Sequence, residues 1–92
     1  MSAIRLPTVL RPAASGRAVV TVEGTTIRQL LEALQVEFPA MSGQVLTSQG
    51  DLHRFVNVYL NDDDVRYLRQ LDTPVGPDDV VSILPAVAGG VA

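Results

Sequence analysis

The pattern of apolar and polar residues predicts two strands in the first quarter of the chain. Residues 2–10 alternate loosely between apolar and polar and predict a first strand, which Pro7 disturbs because proline has no backbone N–H to donate. Residues 11–17 are typical of a loop. The β-branched segment 18–23 predicts a second strand, and we expect it to run antiparallel to the first across this loop.

One helix is predicted over residues 26–38. Apolar residues recur there at helical spacing and form one face: Ile27, Leu30, Leu31, Leu34 and Phe38. Thr26 and Gln29 predict a capping box in which each side chain accepts a hydrogen bond from the backbone N–H of the other residue. Pro39 ends the helix.

The remaining segments predict three more strands and their connections. They are a loop with one helical turn at 40–54, a strand at 55–60, a turn at 61–64, a short fourth strand at 65–68, a connection at 71–79 and a last strand at 80–84. A single helix among five strands must cover one face of the sheet. We therefore expect an α+β domain, with a mixed sheet whose other face is exposed.

Length and charge restrict the class of protein. The 92 residues predict one domain, the formal charge is −3, and all seven cationic residues are arginines. An acidic chain without a basic run argues against nucleic acid and anionic membranes as partners. No apolar stretch is long enough to span a membrane and the first residues do not resemble a signal peptide, so we expect a cytoplasmic protein.

Candidate catalytic chemistry is sparse. The chain has no cysteine, which excludes disulfides, thiolate catalysis and cysteine-ligated zinc. His53 is the only histidine, so we expect a structural or surface role for it. Three consecutive aspartates at 62–64 lack the spacing of a calcium loop and favour a solvated turn. We therefore predict no catalytic residue, no metal site and no bound cofactor, and a protein that is not an enzyme.

The C-terminal sequence PAVAGGVA is the most informative stretch. Residues 86–90 are small and directly follow the last predicted strand. A frayed terminus would have the same composition. A segment that passes through a narrow channel into another protein also needs residues with small side chains, and glycine has none. We predict a domain at 1–85 and a flexible tail at 86–92.

The chain resembles the ubiquitin-like β-grasp sulfur carriers, the family of MoaD, ThiS and CysO. The stretch DDVVSILPAVAGG at 78–90 is similar to their last strand and Gly-Gly tail. Two further stretches, IRLPTVLRP at 4–12 and LHRFVNVYLNDDDVR at 52–66, are most similar to the CysO branch. The resemblance covers essentially the whole chain and implies a β-grasp fold.

The resemblance also implies a chemistry for the tail. A MoeB/ThiF-like enzyme that uses ATP would adenylate the carboxylate of Gly90 and convert it to a thiocarboxylate, and Gly89, Ala88, Val87 and Ala86 would give it access to that enzyme. Family members normally end at the Gly-Gly pair, whereas here Val91 and Ala92 follow it. Trimming between Gly90 and Val91 by a JAMM-type zinc metallopeptidase would free the carboxylate.

The resemblance leaves the sulfur acceptor open. The similarity to CysO favours cysteine biosynthesis on a PLP-dependent cysteine synthase. Synthesis of molybdopterin, thiamine or a sulfur-containing natural product is the alternative, as is a ubiquitin-like modifier that forms isopeptide bonds. We expect the exposed sheet face, including Tyr59 and Leu84, to dock the activating enzyme.

Overall fold

The computed structural model describes residues 1–85, and the predicted tail at 86–92 lies outside the described residues. Within residues 1–85 the chain forms five strands and one α-helix. The strands are β1 (Ser2–Arg5), β2 (Val19–Val22), β3 (Val56–Leu60), β4 (Asp63–Asp64) and β5 (Val80–Pro85), and the helix is α1 (Ile27–Glu37). Four short 3₁₀ helices lie in the connections of this part of the chain. The predicted order of strands and helix is confirmed.

The described strands form one mixed sheet in the order β2-β1-β5-β3-β4. β1 and β5 run parallel at its centre, and the other neighbours are antiparallel, including the predicted β1–β2 pair. Alternate residues of the strands point to the face that α1 covers, and the buried apolar ones are Ile4, Val20, Val22, Val56, Val58, Val81 and Ile83. The α+β architecture predicted from the sequence is confirmed.

The helix buries the predicted face. Ile27, Leu30, Leu31 and Leu34 have no exposed surface, whereas Phe38 is only partly buried because it follows the last helical residue. Val36, on the opposite side of α1, is 80% exposed. A stripe of apolar side chains three and four residues apart thus attaches α1 to the sheet.

Only one of the two hydrogen bonds of the predicted capping box forms at the start of α1. Thr26 Oγ1 accepts a hydrogen bond from Gln29 N at 3.2 Å, as predicted. The Gln29 side chain, however, accepts from the backbone N–H of Thr25 at 2.8 Å instead of that of Thr26. This segment also pairs with the connection before β5, where Ile27 N donates to Thr73 O at 3.0 Å and Val75 N to Thr25 O at 2.9 Å.

The first strand ends at Arg5, just before the predicted disturbance at Pro7, so its predicted extension to residue 10 was wrong. The predicted loop at 11–17 is a turn only after Ala14. Leu6 N still donates to Ala18 O at 2.8 Å, but Pro7 has no N–H to continue the ladder. A 3₁₀ helix follows at Thr8–Ala14. Leu10 and Ala14 of this helix are both buried in the core.

The prediction of a fourth strand at 65–68 was also wrong. The strand is Asp63–Asp64, and Val65–Tyr67 form a 3₁₀ helix whose first turn is capped by Asp64 Oδ1, which accepts from Arg66 N at 2.9 Å. Two of the predicted turn residues therefore pair with β3 at Tyr59 and Leu60. The predicted loop at 40–54 is confirmed, with a 3₁₀ helix at Pro39–Met41 at its start.

The turn that leads into β5 supplies a pH-dependent contribution to stability. Asp79 accepts hydrogen bonds from Gly76 N at 2.8 Å and Asn61 Nδ2 at 3.3 Å. Because these donors favour the carboxylate, first the Gly76 N–H and then Asn61, they hold the pKa of Asp79 below its ordinary 3.8. The contribution is therefore present above that ordinary value and is lost as the pH falls through the lower folded-state pKa.

We expect Asp79→Asn to weaken this pH dependence. The free energy of unfolding of the wild type should exceed that of the variant most at neutral pH, and the difference should shrink as the pH falls below 3.8. Urea denaturation between neutral pH and about pH 3 measures it. Asp78→Asn, at the exposed neighbouring position, is the control. A difference that stays constant over this range would contradict the assignment.

Candidate functional site

The candidate metal ligands and the single histidine are placed as follows within residues 1–85. No group of three or more histidine, aspartate or glutamate side chains in this range is placed to hold a metal ion. His53 is partly buried, and its Nδ1 accepts from Phe55 N at 3.2 Å, so it orders the start of β3. The same residues include no helix long and apolar enough to cross a membrane.

The tail residues predicted to carry the chemistry lie outside the described residues, namely Ala86, Val87, Ala88, Gly89, Gly90 and Val91. The structure does define the base from which the tail starts. β5 lies between β1 and β3 and ends at Pro85, whose register partner is Val56. β5 pairs with β1 as far as Ser82 and with β3 as far as Pro85, so β3 holds the residues from which the tail starts.

Tyr59 and Leu84, predicted to dock a partner, lie on the sheet face opposite α1. Tyr59 pairs with Ser82, and Leu84 pairs with Asn57. The structure brings the two residues onto adjacent strands of one face, with Leu84 one residue before the end of β5. Their role in docking stays a prediction.

Leu84 belongs to a cluster beside the end of β5 whose other members the sequence analysis missed. We call it the tail-exit patch, formed by Arg5, Val9, Arg11, Val19 and Leu84 around a depression of about 610 Å³. Val9, Val19 and Leu84 are 69%, 49% and 44% exposed, a concentration of apolar surface that marks interaction sites. The residues come from four segments of the chain. The sequence signal for them is only the outward position of Arg5, Val19 and Leu84 in the strand alternation.

The tail-exit patch is cationic although the chain as a whole is acidic. Arg5 and Arg11 both line it, and Arg11 is held in place by a hydrogen bond of 3.4 Å from its Nε to Leu6 O. No aspartate or glutamate is among the described residues that line the depression. The formal charge of the chain is −3. The patch is therefore complementary to an apolar surface with acidic groups at its rim.

Comparison with known families identifies the chain. Residues 4–90 match the sequence model of the ThiS family. The chain belongs to this family. The matched range covers nearly the whole sequence and extends through the Gly-Gly pair.

Individual relatives of this ThiS-family chain are similar over most of their length. It is 42% identical over 89 residues to the sulfur carrier protein CysO of Mycobacterium tuberculosis, covering 95% of this chain and 96% of the relative. The crystal structure of that CysO has a TM-score of 0.87 over 95% of this chain and 100% of the other, at 38% identity. Small archaeal modifier protein 3 of Haloferax volcanii is 31% identical over 68 residues, 74% of this chain and 73% of the relative.

A further solved structure is that of the BexX/CysO complex of Amycolatopsis orientalis. Its matching chain has a TM-score of 0.88 and 34% identity, and covers 98% of this chain and 100% of the other. These likenesses confirm the β-grasp fold predicted from the sequence. The ThiS-family protein is a sulfur carrier of the CysO/ThiS type and is not itself an enzyme.

Proposed function

We propose that this carrier holds sulfur as a thiocarboxylate on Gly90, after Val91 and Ala92 have been removed. The observation that supports this most directly is the extent of the family match, which ends at Gly90. β5 ends at Pro85, so the segment from the end of the sheet through Gly90 has five residues, 86–90. Fully extended, five residues reach about 17 Å, enough to enter an enzyme's active site while the domain stays at its entrance.

Activation of Gly90 proceeds in two steps on the partner enzyme. A carboxylate oxygen of Gly90 attacks the α-phosphorus of ATP and releases pyrophosphate, which gives an acyl adenylate. Hydrosulfide then attacks the carbonyl carbon, AMP leaves with the C–O bond electrons, and the thiocarboxylic acid that forms loses its proton to water. The product is an ionised thiocarboxylate, a soft nucleophile that needs no activating base. The chain has no cysteine, and this route requires none.

The partners follow from this chemistry. A MoeB/ThiF-like enzyme supplies the adenylation, and a JAMM-type zinc metallopeptidase exposes Gly90 by cleaving the bond to Val91. The ATP and the zinc belong to these enzymes. For the acceptor we propose activated serine on a PLP-dependent cysteine synthase. Similarity to CysO supports this acceptor over molybdopterin, thiamine or a natural product.

The tail-exit patch is the surface we propose for the adenylating enzyme. Leu84 lines it, one residue before the end of β5, so a partner that covers Leu84 lies next to the start of the tail. Apolar area at the centre supplies affinity, while Arg5 and Arg11 set orientation against acidic groups of the partner. Tyr59 extends the same face toward β4.

We expect Leu84→Asp to impair thiocarboxylate formation strongly. The change removes exposed apolar area and adds a negative charge that repels an acidic partner, and loss of a central contact costs about 2 kcal/mol, roughly 30-fold in affinity. The measurement is the KM of the trimmed protein as substrate of the adenylating enzyme, which should rise while kcat changes little.

Val36→Asp is the matched control for this prediction. It replaces another exposed apolar side chain by aspartate, but on the outer face of α1, away from the tail-exit patch. We expect its KM to equal that of the wild type. Equal KM values for Leu84→Asp and the wild type, or equal increases in both variants, would contradict the proposed docking surface.

A ubiquitin-like modifier is a second candidate, favoured by the 31% identity with small archaeal modifier protein 3. In that case the activated Gly90 would be attacked by a lysine amine of another protein. This chain has no lysine, so it offers no lysine side chain for joining copies of itself into branched chains. Mass spectrometry of a lysate distinguishes the two candidates, because lysine adducts indicate a modifier and replacement of oxygen by sulfur indicates a carrier.

A further inference from the structure

The two edges of the sheet differ in length. On one side the sheet ends at β4, which has only two residues, Asp63 and Asp64. On the other side it ends at β2, Val19–Val22, and in the part of the chain that the structure describes no strand pairs with β2 on its outer side. A proline, a lysine or a bulge commonly protects such an edge, and β2, whose register with β1 is continuous, has none of them. The edge is therefore open to a further strand.

The β1–β2 register shows which backbone groups lie on this edge. Leu6 N donates to Ala18 O at 2.8 Å, so Ala18 and every second residue after it bond to β1. Val19 and Thr21 therefore direct their N–H and C=O groups away from the sheet. Both residues are exposed. We call the outward backbone groups of Val19 and Thr21 the free edge.

The charges beside the free edge are complementary to those of a second copy of the chain. Arg17 precedes β2 and Glu23 follows it, and both are exposed. Neither forms an ion pair within residues 1–85. When two copies of β2 run antiparallel, the Arg17 end of each lies at the Glu23 end of the other. Opposite charges then meet at both ends of the strand pair.

One antiparallel register uses only backbone groups that are free. Centred on Val20, it pairs Val19 of each copy with Thr21 of the other, and it sets Arg17 opposite Glu23. Centred on Val19, it would pair Arg17 with Thr21, but Arg17 N already donates to the carbonyl three residues earlier at 3.1 Å. Centred on Thr21, it would displace Arg17 two residues beyond Glu23. The register centred on Val20 is therefore favoured.

We propose that two copies of this chain form a dimer through their free edges, with the twofold axis at Val20. The two sheets become one continuous sheet, and because paired residues point to the same face, both tail-exit patches lie on one side of it. Val19 belongs to both surfaces, since its backbone pairs with the second copy while its side chain stays in the patch. The pairing does not depend on the chemistry of Gly90.

Sedimentation of the full-length chain between about 10 μM and about 1 mM tests this proposal. We expect the wild type to change from monomer to dimer over this range and the amide NMR signals of residues 17–23 to shift with concentration. Thr21→Pro should weaken the dimer at least about hundredfold, because it removes an outward N–H without breaking a bond to β1. Thr21→Val is the matched control. It keeps the N–H and the β-branched shape, so its dissociation constant should stay within about twofold of the wild type.

An exchange of charges tests the register without a proline. Arg17→Glu and Glu23→Arg should each weaken the dimer about tenfold, because like charges then meet at both ends of the strand pair. Glu23→Arg makes the chain less acidic, so its effect does not come from repulsion between net charges. The double variant Arg17→Glu with Glu23→Arg restores opposite charges, and its dissociation constant should return to within about threefold of the wild type.

Three results would overturn the proposal. The first is a wild type that stays monomeric at about 1 mM. The second is equal weakening by Thr21→Pro and Thr21→Val, because the backbone N–H would then have no part in the pairing. The third is a double charge variant that dimerises no better than the single ones, or concentration-dependent amide shifts centred outside residues 17–23, because the two copies would then meet elsewhere.

Discussion

Protein that ends at Gly90 should form a thiocarboxylate with ATP, a MoeB/ThiF-type enzyme and a sulfide source, whereas protein that ends at Ala92 should not react. Adenylation needs a free carboxylate, and in the longer chain the carbonyl of Gly90 is in a peptide bond with Val91. The carboxylate of Ala92 does not substitute for it, because two extra residues displace it by about 7 Å in an extended chain. Intact mass measures the replacement of oxygen by sulfur in each form.

A chain that ends at Gly89 is the control for reach. It offers a free glycine carboxylate, but its end lies one residue closer to β5, so we expect it to react far more slowly than the chain ending at Gly90.

In the chain that ends at Ala92, the β-branched side chain of Val91 would additionally obstruct a channel that fits glycine. Equal turnover of the chains that end at Gly90 and Ala92 would reject trimming and make Val91 and Ala92 a tolerated extension.

Leu31→Ala should lower the free energy of unfolding by about 2–5 kcal/mol, because it leaves a cavity where α1 packs on the sheet. Leu31 has no exposed surface and belongs to the one continuous cluster of buried residues described within 1–85. Urea denaturation followed by circular dichroism measures the loss.

Val36→Ala is the control on the same helix, and we expect it to change stability by less than about 0.5 kcal/mol because the residue is exposed. A loss below about 0.5 kcal/mol for Leu31→Ala would mean that the packed face of α1 is wrongly assigned. Equal losses in the two variants would mean the same.

The helix was predictable from the sequence because its signals are local. Ile27, Leu30, Leu31 and Leu34 set the period within three turns, and Thr26 marks the start through its own side chain. The prediction of a strand at 65–68 was wrong. It was favoured because Val65 and Tyr67 have high strand propensity, but only Val65 is buried. The cap from Asp64 and the buried Thr73 determine the turn, and neither has a strong sequence signal.

The candidate site was likewise predictable only where its residues are neighbours in the sequence. The Gly-Gly pair is contiguous, so it can be proposed from the sequence alone, whereas the tail-exit patch joins Arg5, Val19 and Leu84 from three different strands. Their proximity depends on the strand order β2-β1-β5, which the alternation of apolar residues does not specify. Val9 was also missed, because its exposure results from the 3₁₀ helix at Thr8–Ala14.

The intact mass of the protein recovered from its own cells tests the sulfur-carrier account most directly. We expect a species that lacks Val91 and Ala92 and has one oxygen replaced by sulfur, and we expect alkylation with iodoacetamide to label it at the C-terminus, since the chain has no cysteine thiol to compete. Recovery solely of unmodified protein that still ends at Ala92, from cells actively using sulfur for biosynthesis, would contradict the account.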